Sequence, residues 1–200
     1  MARPRKSPTK QSTLRIIGGQ WRGRKLSFTP AQGLRPTPDR VRETLFNWLA
    51  PVINDARCLD LFAGSGALGL EALSRGARSC DFIDTSTAAI RQIEQHLQTL
   101  QAVKRGRCHV MPALTFLNNA QGPYDIVFAD PPFNKDLIAP VCAQLDRQGL
   151  VIADGLIYLE TATEDPTPIV PGHWRLHRDK VAGEVAYRLF EHPADSPQSN

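Results

Sequence analysis

One stretch constrains this chain more than any other: Asp60-Leu-Phe-Ala-Gly64-Ser-Gly66-Ala-Leu-Gly69. It continues an apolar, strand-like run at 58–62 and opens a segment, ALGLEALSR (67–75), that has helical character and is closed by Gly76. The stretch therefore reads as a strand–turn–helix junction, and Gly64, Gly66 and Gly69 fit GxGxxG in the context that pattern requires. Glycines there let the backbone turn sharply and let a ligand approach where a Cβ would stand in the way. A chain built around such a junction folds as alternating strands and helices.

The alternation continues downstream. Residues 79–83 read as a second strand, and 86–100 as a helix with Ile90, Ile93, Leu97 and Leu100 on one face. Strands follow at 108–111 and 125–129, then a helix face carried by Leu137, Val141 and Leu145, then a strand at 156–159. Segments 174–177 and 184–190, joined around Ala182-Gly183, form an antiparallel hairpin. The fold class is α/β: a Rossmann-like, doubly wound, mainly parallel seven-stranded sheet finished by that hairpin. Upstream, 14–17 and 21–28 flank Gly18-Gly19 as a second small hairpin, and Val41, Leu45, Trp48 and Leu49 mark a helix over 38–50 with Thr37 as its N-cap. The expected organisation is a basic tail (1–12), an N-terminal hairpin and helix (13–50), a catalytic domain (51–191) and a second tail (192–200).

Asp84 ends the second strand twenty residues after Gly64, where a carboxylate accepts hydrogen bonds from ribose hydroxyls. A helix N-terminus would use the same carboxylate. The ligand is a dinucleotide or S-adenosylmethionine, and Asp60 favours the second, since a carboxylate there repels a pyrophosphate and attracts a cationic amino-acid moiety. The fourth strand runs into Asp130-Pro131-Pro132-Phe133 at the sheet edge where open α/β folds bind ligands. Two prolines fix φ and remove two donors, leaving rigid carbonyls. Asp130 and the Pro131 carbonyl can then accept the two hydrogens of an exocyclic amine, and Phe133 offers a face for an extruded base.

Charge is unevenly spread. Residues 1–50 carry eleven Lys/Arg against Asp39 and Glu43, whereas the remainder is acidic, within a net charge of +4. A basic arm interleaved with Ile16, Ile17, Trp21, Leu26 and Phe28 is a folded surface for a polyanion. The candidates are Arg15, Arg22, Arg24, Lys25, Arg35, Arg40 and Arg42, with Lys104, Arg105 and Arg107 as a second contact. No apolar run approaches the roughly 20 residues of a membrane span. Four dispersed cysteines, without a CxxC pair, read as buried thiols of a cytoplasmic protein. The five histidines show no catalytic or metal-ligand spacing and read as structural or surface residues, so no metal is expected.

The loop, the acid after strand two and the (D/N)PP(F/Y) motif resemble the class I S-adenosylmethionine-dependent methyltransferases. RIIGGQWRGRKL (15–26), RPTPDRVRETLFNWL (35–49), LDLFAGSGALGLEALSRGA (59–77), DPPF (130–133) and DKVAGEVAYRLFE (179–191) look like the bacterial 16S rRNA (guanine-N2)-methyltransferases of the RsmD type. The resemblance spans about 14–191. It implies methyl transfer from S-adenosylmethionine to a guanine 2-amino group in 16S rRNA, within a small ribosomal subunit particle; a monomer is the default expectation. It also implies that Asp60, Gly64 and Gly66 hold the methionine end, Asp84 the ribose and the backbone of Ala113 the adenine. Asp130 and Pro131 bind the amine, braced by Pro132, with Phe133 stacking; Arg35, Thr37 and Arg40 sit over the cofactor and RNA mouth, although the same three also read as a helix cap with solvated charges. Two other readings stay open: a DNA adenine-N6 methyltransferase, and a non-catalytic RNA-binding or assembly factor; a nicotinamide dehydrogenase leaves DPPF without a role.

Overall fold

The computed structural model describes residues 12–28, 37–132 and 136–194. Strands β1 (Ser12–Arg15) and β2 (Lys25–Phe28) pair as an antiparallel hairpin, and α1 (Asp39–Leu49) leads into the main sheet. There, β3 (Arg57–Asp60), α2 (Ala67–Ser74), β4 (Ser79–Asp84), α3 (Thr87–Thr99), β5 (Gly106–Val110), α4 (Ala113–Leu117), β6 (Tyr124–Ala129), α5 (Ile138–Arg147) and β7 (Val151–Ala162) alternate. Strands β8 (Arg175–Ala182) and β9 (Val185–His192) complete a seven-stranded sheet in the order β5-β4-β3-β6-β7-β9-β8. Five strands are parallel and the last two antiparallel, as expected. Chain direction across the sheet reverses between β3 and β6, and the crevice outside their C-terminal ends is the topological switch point at which such sheets bind ligands.

The two-residue period of the strands builds two cores. Cys58, Cys80, Phe82, Ile126, Phe128 and Tyr158 face α1, α2 and α3. Leu59, Ile83, Val127, Ala129, Ile157 and Leu159 face α4 and α5. Near-continuous apolar runs in β3, β6 and β7 follow from burial on both faces. At Gly69 helix and strand approach closely, because a Cβ there would stand 2.2 Å from the Phe82 ring.

The N-terminal segment is not an appended module. Leu14, Ile16, Leu26, Phe28, Val41 and Leu45 belong to the same apolar cluster as Phe82 and Phe128. Its anchor is Glu71 of α2, fully buried, whose carboxylate accepts the backbone N–H groups of Ile17 and Gly18 at 2.8 Å each and the Arg75 Nε–H at 2.8 Å. Arg42, 1% exposed, lies 3.7 Å from the same carboxylate and donates to the Arg15 carbonyl at 3.0 Å and to Asp39 at 2.6 Å. Arg42 is thus an internal clamp and unavailable to a polyanion, contrary to its reading as part of a basic face.

Gly18-Gly19 lies within the hairpin connection, as expected, but that connection is a longer loop than a two-residue turn. Ser74 donates to the Gly18 carbonyl at 2.6 Å, and at Gly19 (φ +76°) a Cβ would stand 1.9 Å from the Ser74 carbonyl oxygen, so the dipeptide docks on α2. The hairpin closes further on, where Gly23 donates to the Ile16 carbonyl at 2.9 Å. Arg105 is also structural: it donates to the Leu73 and Ala77 carbonyls at 2.6 Å each and lies over the Trp21 ring. Helix α4 and the length of β7, which continues past Leu159 to Ala162, were not anticipated. Ser12 and His192 lie in strands, so regular structure enters both expected tails by one residue; 1–11 and 195–200 lie outside the described residues. Among the described residues no helix is long and apolar enough to cross a membrane.

Removing one partner from a buried charge cluster leaves the others unpaired, at a cost of about 3 kcal/mol or more. Glu71→Ala should therefore lower the urea-unfolding free energy by about that amount; a loss within experimental scatter would contradict the anchoring role.

Candidate active site

The switch point gathers acids from three strands. Asp60, the last residue of β3, is 3% exposed and its Oδ2 accepts the Gly69 N–H at 3.0 Å. This bond ties the first turn of α2 to the strand end, while Gly64 (φ +52°) and Gly66 (φ +78°) supply the left-handed turns that a side chain resists. Burial, reinforced by the nearby Asp84 charge, pushes the Asp60 carboxyl up to about 7, despite the backbone donors that favour its anion. Asp84, at the end of β4, accepts the Gly64 N–H at 2.9 Å and the Ser86 N–H at 2.7 Å. It therefore closes the glycine loop as well as capping the approach to α3. Its own carbonyl accepts the Met111 N–H at 3.0 Å, which brings the start of α4, and buried Ala113, beside it.

Asp130 follows β6 directly and is partly buried, with Pro131 buried beneath it and Pro132 exposed. Phe133 lies outside the described residues, as does Arg35. Thr37 is buried, and its hydroxyl donates to Asp130 Oδ2 at 3.4 Å. It does not cap α1; Pro38 occupies the cap position, and its carbonyl accepts the Val41 and Arg42 N–H groups. The structure adds a residue that pattern reading passed over. Glu160 of β7, 4% exposed, accepts the Tyr158 hydroxyl at 2.8 Å and also interacts with the Thr37 hydroxyl.

Burial first, then the facing Glu160 charge and the more distant Asp60, holds the Asp130 carboxyl well above the ordinary carboxylate range. Glu160 is raised by burial as well, against the donors that favour its anion. Two carboxyls bridged by one hydroxyl resist simultaneous ionisation, so the pair titrates as a unit. The signal that marks Glu160 in sequence is an acid inside an otherwise apolar strand, LIYLETA.

Of the basic residues, Arg15, Arg22, Arg24, Lys25 and Arg40 are exposed. Arg15 and Lys25 are cross-strand partners, a like-charge pairing that a hairpin selected for stability alone would avoid, though Arg15 also lies 3.6 Å from Asp39. The cysteines offer no nucleophile, since burial pushes the thiols of Cys108 and Cys142 up to about 12 and those of Cys58 and Cys80 higher still.

A sheet in this strand order, with the glycine loop and its acids after β3 and β4 and Asp-Pro-Pro after β6, defines a Rossmann-like methyltransferase. The solved structure of yhhF from Escherichia coli shares the whole architecture, with a TM-score of 0.83 and 50% identity over 92% of this chain and 99% of that one. The chain belongs to the family described as "Conserved hypothetical protein 95", whose model matches residues 14–191. Its relatives include ribosomal RNA small subunit methyltransferase D of Escherichia coli strain K12, 52% identical over 97% of this chain and 96% of the relative. The Haemophilus influenzae protein of the same name is 42% identical over 92% and 97%, respectively.

A carboxyl whose pKa is raised on folding weakens the folded state as pH rises from the unfolded value, about 4, to the folded one. For Asp60 that window closes near 7. The ligand-free protein should accordingly lose stability between about pH 4 and 7, and Asp60→Asn should flatten the loss, as read from urea midpoints across that range. Parallel profiles for the two proteins would remove Asp60 as a source of it.

Proposed function

We propose that the protein transfers a methyl group from S-adenosylmethionine to the exocyclic N2 amine of a guanine in 16S rRNA, on a small-subunit assembly particle, acting in the cytoplasm as a monomer. Residues 13–50 would form the RNA-binding extension and 51–191 the transfer domain. The observation that carries this reading is Asp130, held by Thr37 and facing Glu160, at the same sheet edge as the glycine loop. The names borne by relatives at 52% and 42% identity support an rRNA acceptor over duplex DNA.

The residues of the loop fit such a cofactor. Gly64 and Gly66 keep the floor of the cradle free of side chains, and at Gly66 a Cβ would already meet Ile93 at 3.0 Å. Asp84 retains carboxylate lone pairs for vicinal hydroxyls, the backbone at Ala113 borders the adenine end, and Asp60 lends negative charge to the cationic end. When bound, S-adenosylmethionine supplies an electrophilic methyl whose donor leaves as a neutral thioether, so the transfer calls for positioning rather than a metal or an enzyme nucleophile.

Asp130 in its anionic form and the Pro131 carbonyl accept the two amine hydrogens and turn the nitrogen lone pair toward the methyl group. Pro132 stiffens this edge and Phe133 stacks on the extruded base. Thr37 holds the Asp130 oxygen that faces α1. Once the N–C bond forms, Asp130 is the nearest base for the proton that the nitrogen releases. Arg15, Arg22, Arg24, Lys25, Arg35 and Arg40 contact phosphates, which confer affinity and register without reading sequence, so selection of one guanine rests on RNA shape.

Asp130→Ala should lower single-turnover methyl transfer to unmethylated small subunits about 100-fold or more, with cofactor affinity nearly unchanged. Burial keeps Asp130 raised in Glu160→Gln, but the variant removes the like charge that adds to it, so the acidic limb of the pH–rate profile should move to lower pH. Full activity in Asp130→Ala would overturn the assignment.

A further inference from the structure

At the pole of the sheet opposite the switch point, three ligand-bearing side chains from separate elements converge. Asp146 lies near the C-terminal end of α5, His173 in the turn before β8 and His192 at the end of β9. His192 pairs with Gly155 on β7, five residues from Glu160, a separation of roughly 16 Å along a strand. His173 Nε2 stands 3.0 Å from Asp146 Oδ1 and His192 Nε2 3.9 Å from it. The three ligand atoms lie within 4.8 Å of one another. Around a tetrahedral Zn2+ the ligand atoms sit about 3.4 Å apart, so small rotations of two imidazoles would close the set.

The surroundings orient these groups as the neighbours of a metal ligand do. His192 Nδ1 is 3.1 Å from the Ile152 carbonyl. A carbonyl only accepts, so Nδ1 carries the hydrogen, and in the neutral imidazole Nε2 is then the nitrogen with the lone pair, on the side of Asp146. At 3.9 Å from Asp146 that Nε2 is beyond hydrogen-bond reach of the carboxylate, and the His192 ring meets the His173 ring edge-on at 5.5 Å, so the two imidazoles and the carboxylate surround a common point. The Trp174 indole N–H donates to Asp146 Oδ1 at 3.3 Å and fixes the carboxylate from a further side.

We propose that Asp146, His173 and His192 form a binding site for one divalent cation of the zinc class, joining α5 to the antiparallel edge of the sheet. Two imidazoles and a carboxylate suit such an ion, and a water or an external ligand would complete the coordination. The site is separate from methyl transfer. It acts as a staple: none of the three side chains shares an element with another, so one ion ties helix, turn and strand together.

The test uses the untagged full-length chain, freed of metal by chelation and titrated with ZnCl2 and, for spectroscopy, CoCl2. One saturable equivalent should bind, Co2+ should show the intense visible absorption of a four-coordinate centre, and the melting temperature should rise by roughly 5 °C at a hundredfold excess over Kd. His173→Gln and His192→Gln should each abolish these effects. The His173 side chain is 51% exposed, so losing its solvated pair with Asp146 should change the metal-free melting temperature only slightly. Cys108→Ser should retain them all. Absence of saturable binding, equal binding by the His173→Gln/His192→Gln double variant, or loss on Cys108→Ser would each overturn the proposal and leave the cluster as ion pairs.

Discussion

The parallel pairing of β3 with β6, which sets Cys58 opposite Ile126 and Asp60 opposite Phe128, is the constraint on which the rest of the molecule depends. It joins strands distant in sequence across the point where the winding reverses, and so brings the glycine loop beside Asp130. The arrangement has an electrostatic cost. Asp60, Asp130 and Glu160 are all held above their ordinary carboxyl range by burial, and each is disfavoured further by a neighbouring acid or kept among apolar side chains. A cationic ligand and an amine donor are the partners that relieve such a cluster, and a fold selected for stability alone would not retain it.

One helix links the N-terminal segment to the acid at the sheet edge. At the start of α1, Thr37 reaches Asp130, while Arg40 on the same helix faces solvent beside the exposed basic hairpin. Glu71 and Arg42 lock hairpin and helix onto α2, which itself begins in the glycine loop. The exposed basic hairpin, the Thr37–Asp130 contact and the glycine loop are thus parts of one packed body.

The strand and helix alternation was legible because burial on both faces leaves apolar runs, and the glycine loop and Asp-Pro-Pro were legible because their chemistry is local. Roles that depend on long-range contacts were not. Thr37 has the residue type and position of an N-cap, yet its hydroxyl is drawn to an acid 93 residues away. Gly18-Gly19 does sit in the hairpin connection, but its contact with Ser74 of α2 is a long-range role that the dipeptide does not advertise. Arg42 and Arg105 look like solvated charge in sequence, and only their carbonyl and carboxylate partners reveal them as internal clamps. Glu160 sat at the edge of a strand whose extent was underestimated, although its isolation among apolar residues was a usable sign. The cluster of Asp146, His173 and His192 has no sequence signature, because three separate elements contribute to it.

The central claim is that the Asp130 edge presents a guanine amine to the methyl donor. Nucleoside mass spectrometry of 16S rRNA from unmethylated small subunits, after incubation with the protein and isotopically labelled S-adenosylmethionine, addresses it most directly. The account predicts label in N2-methylguanosine. Label in N6-methyladenosine or in a ring-carbon methyl, or no label despite cofactor binding, would contradict it.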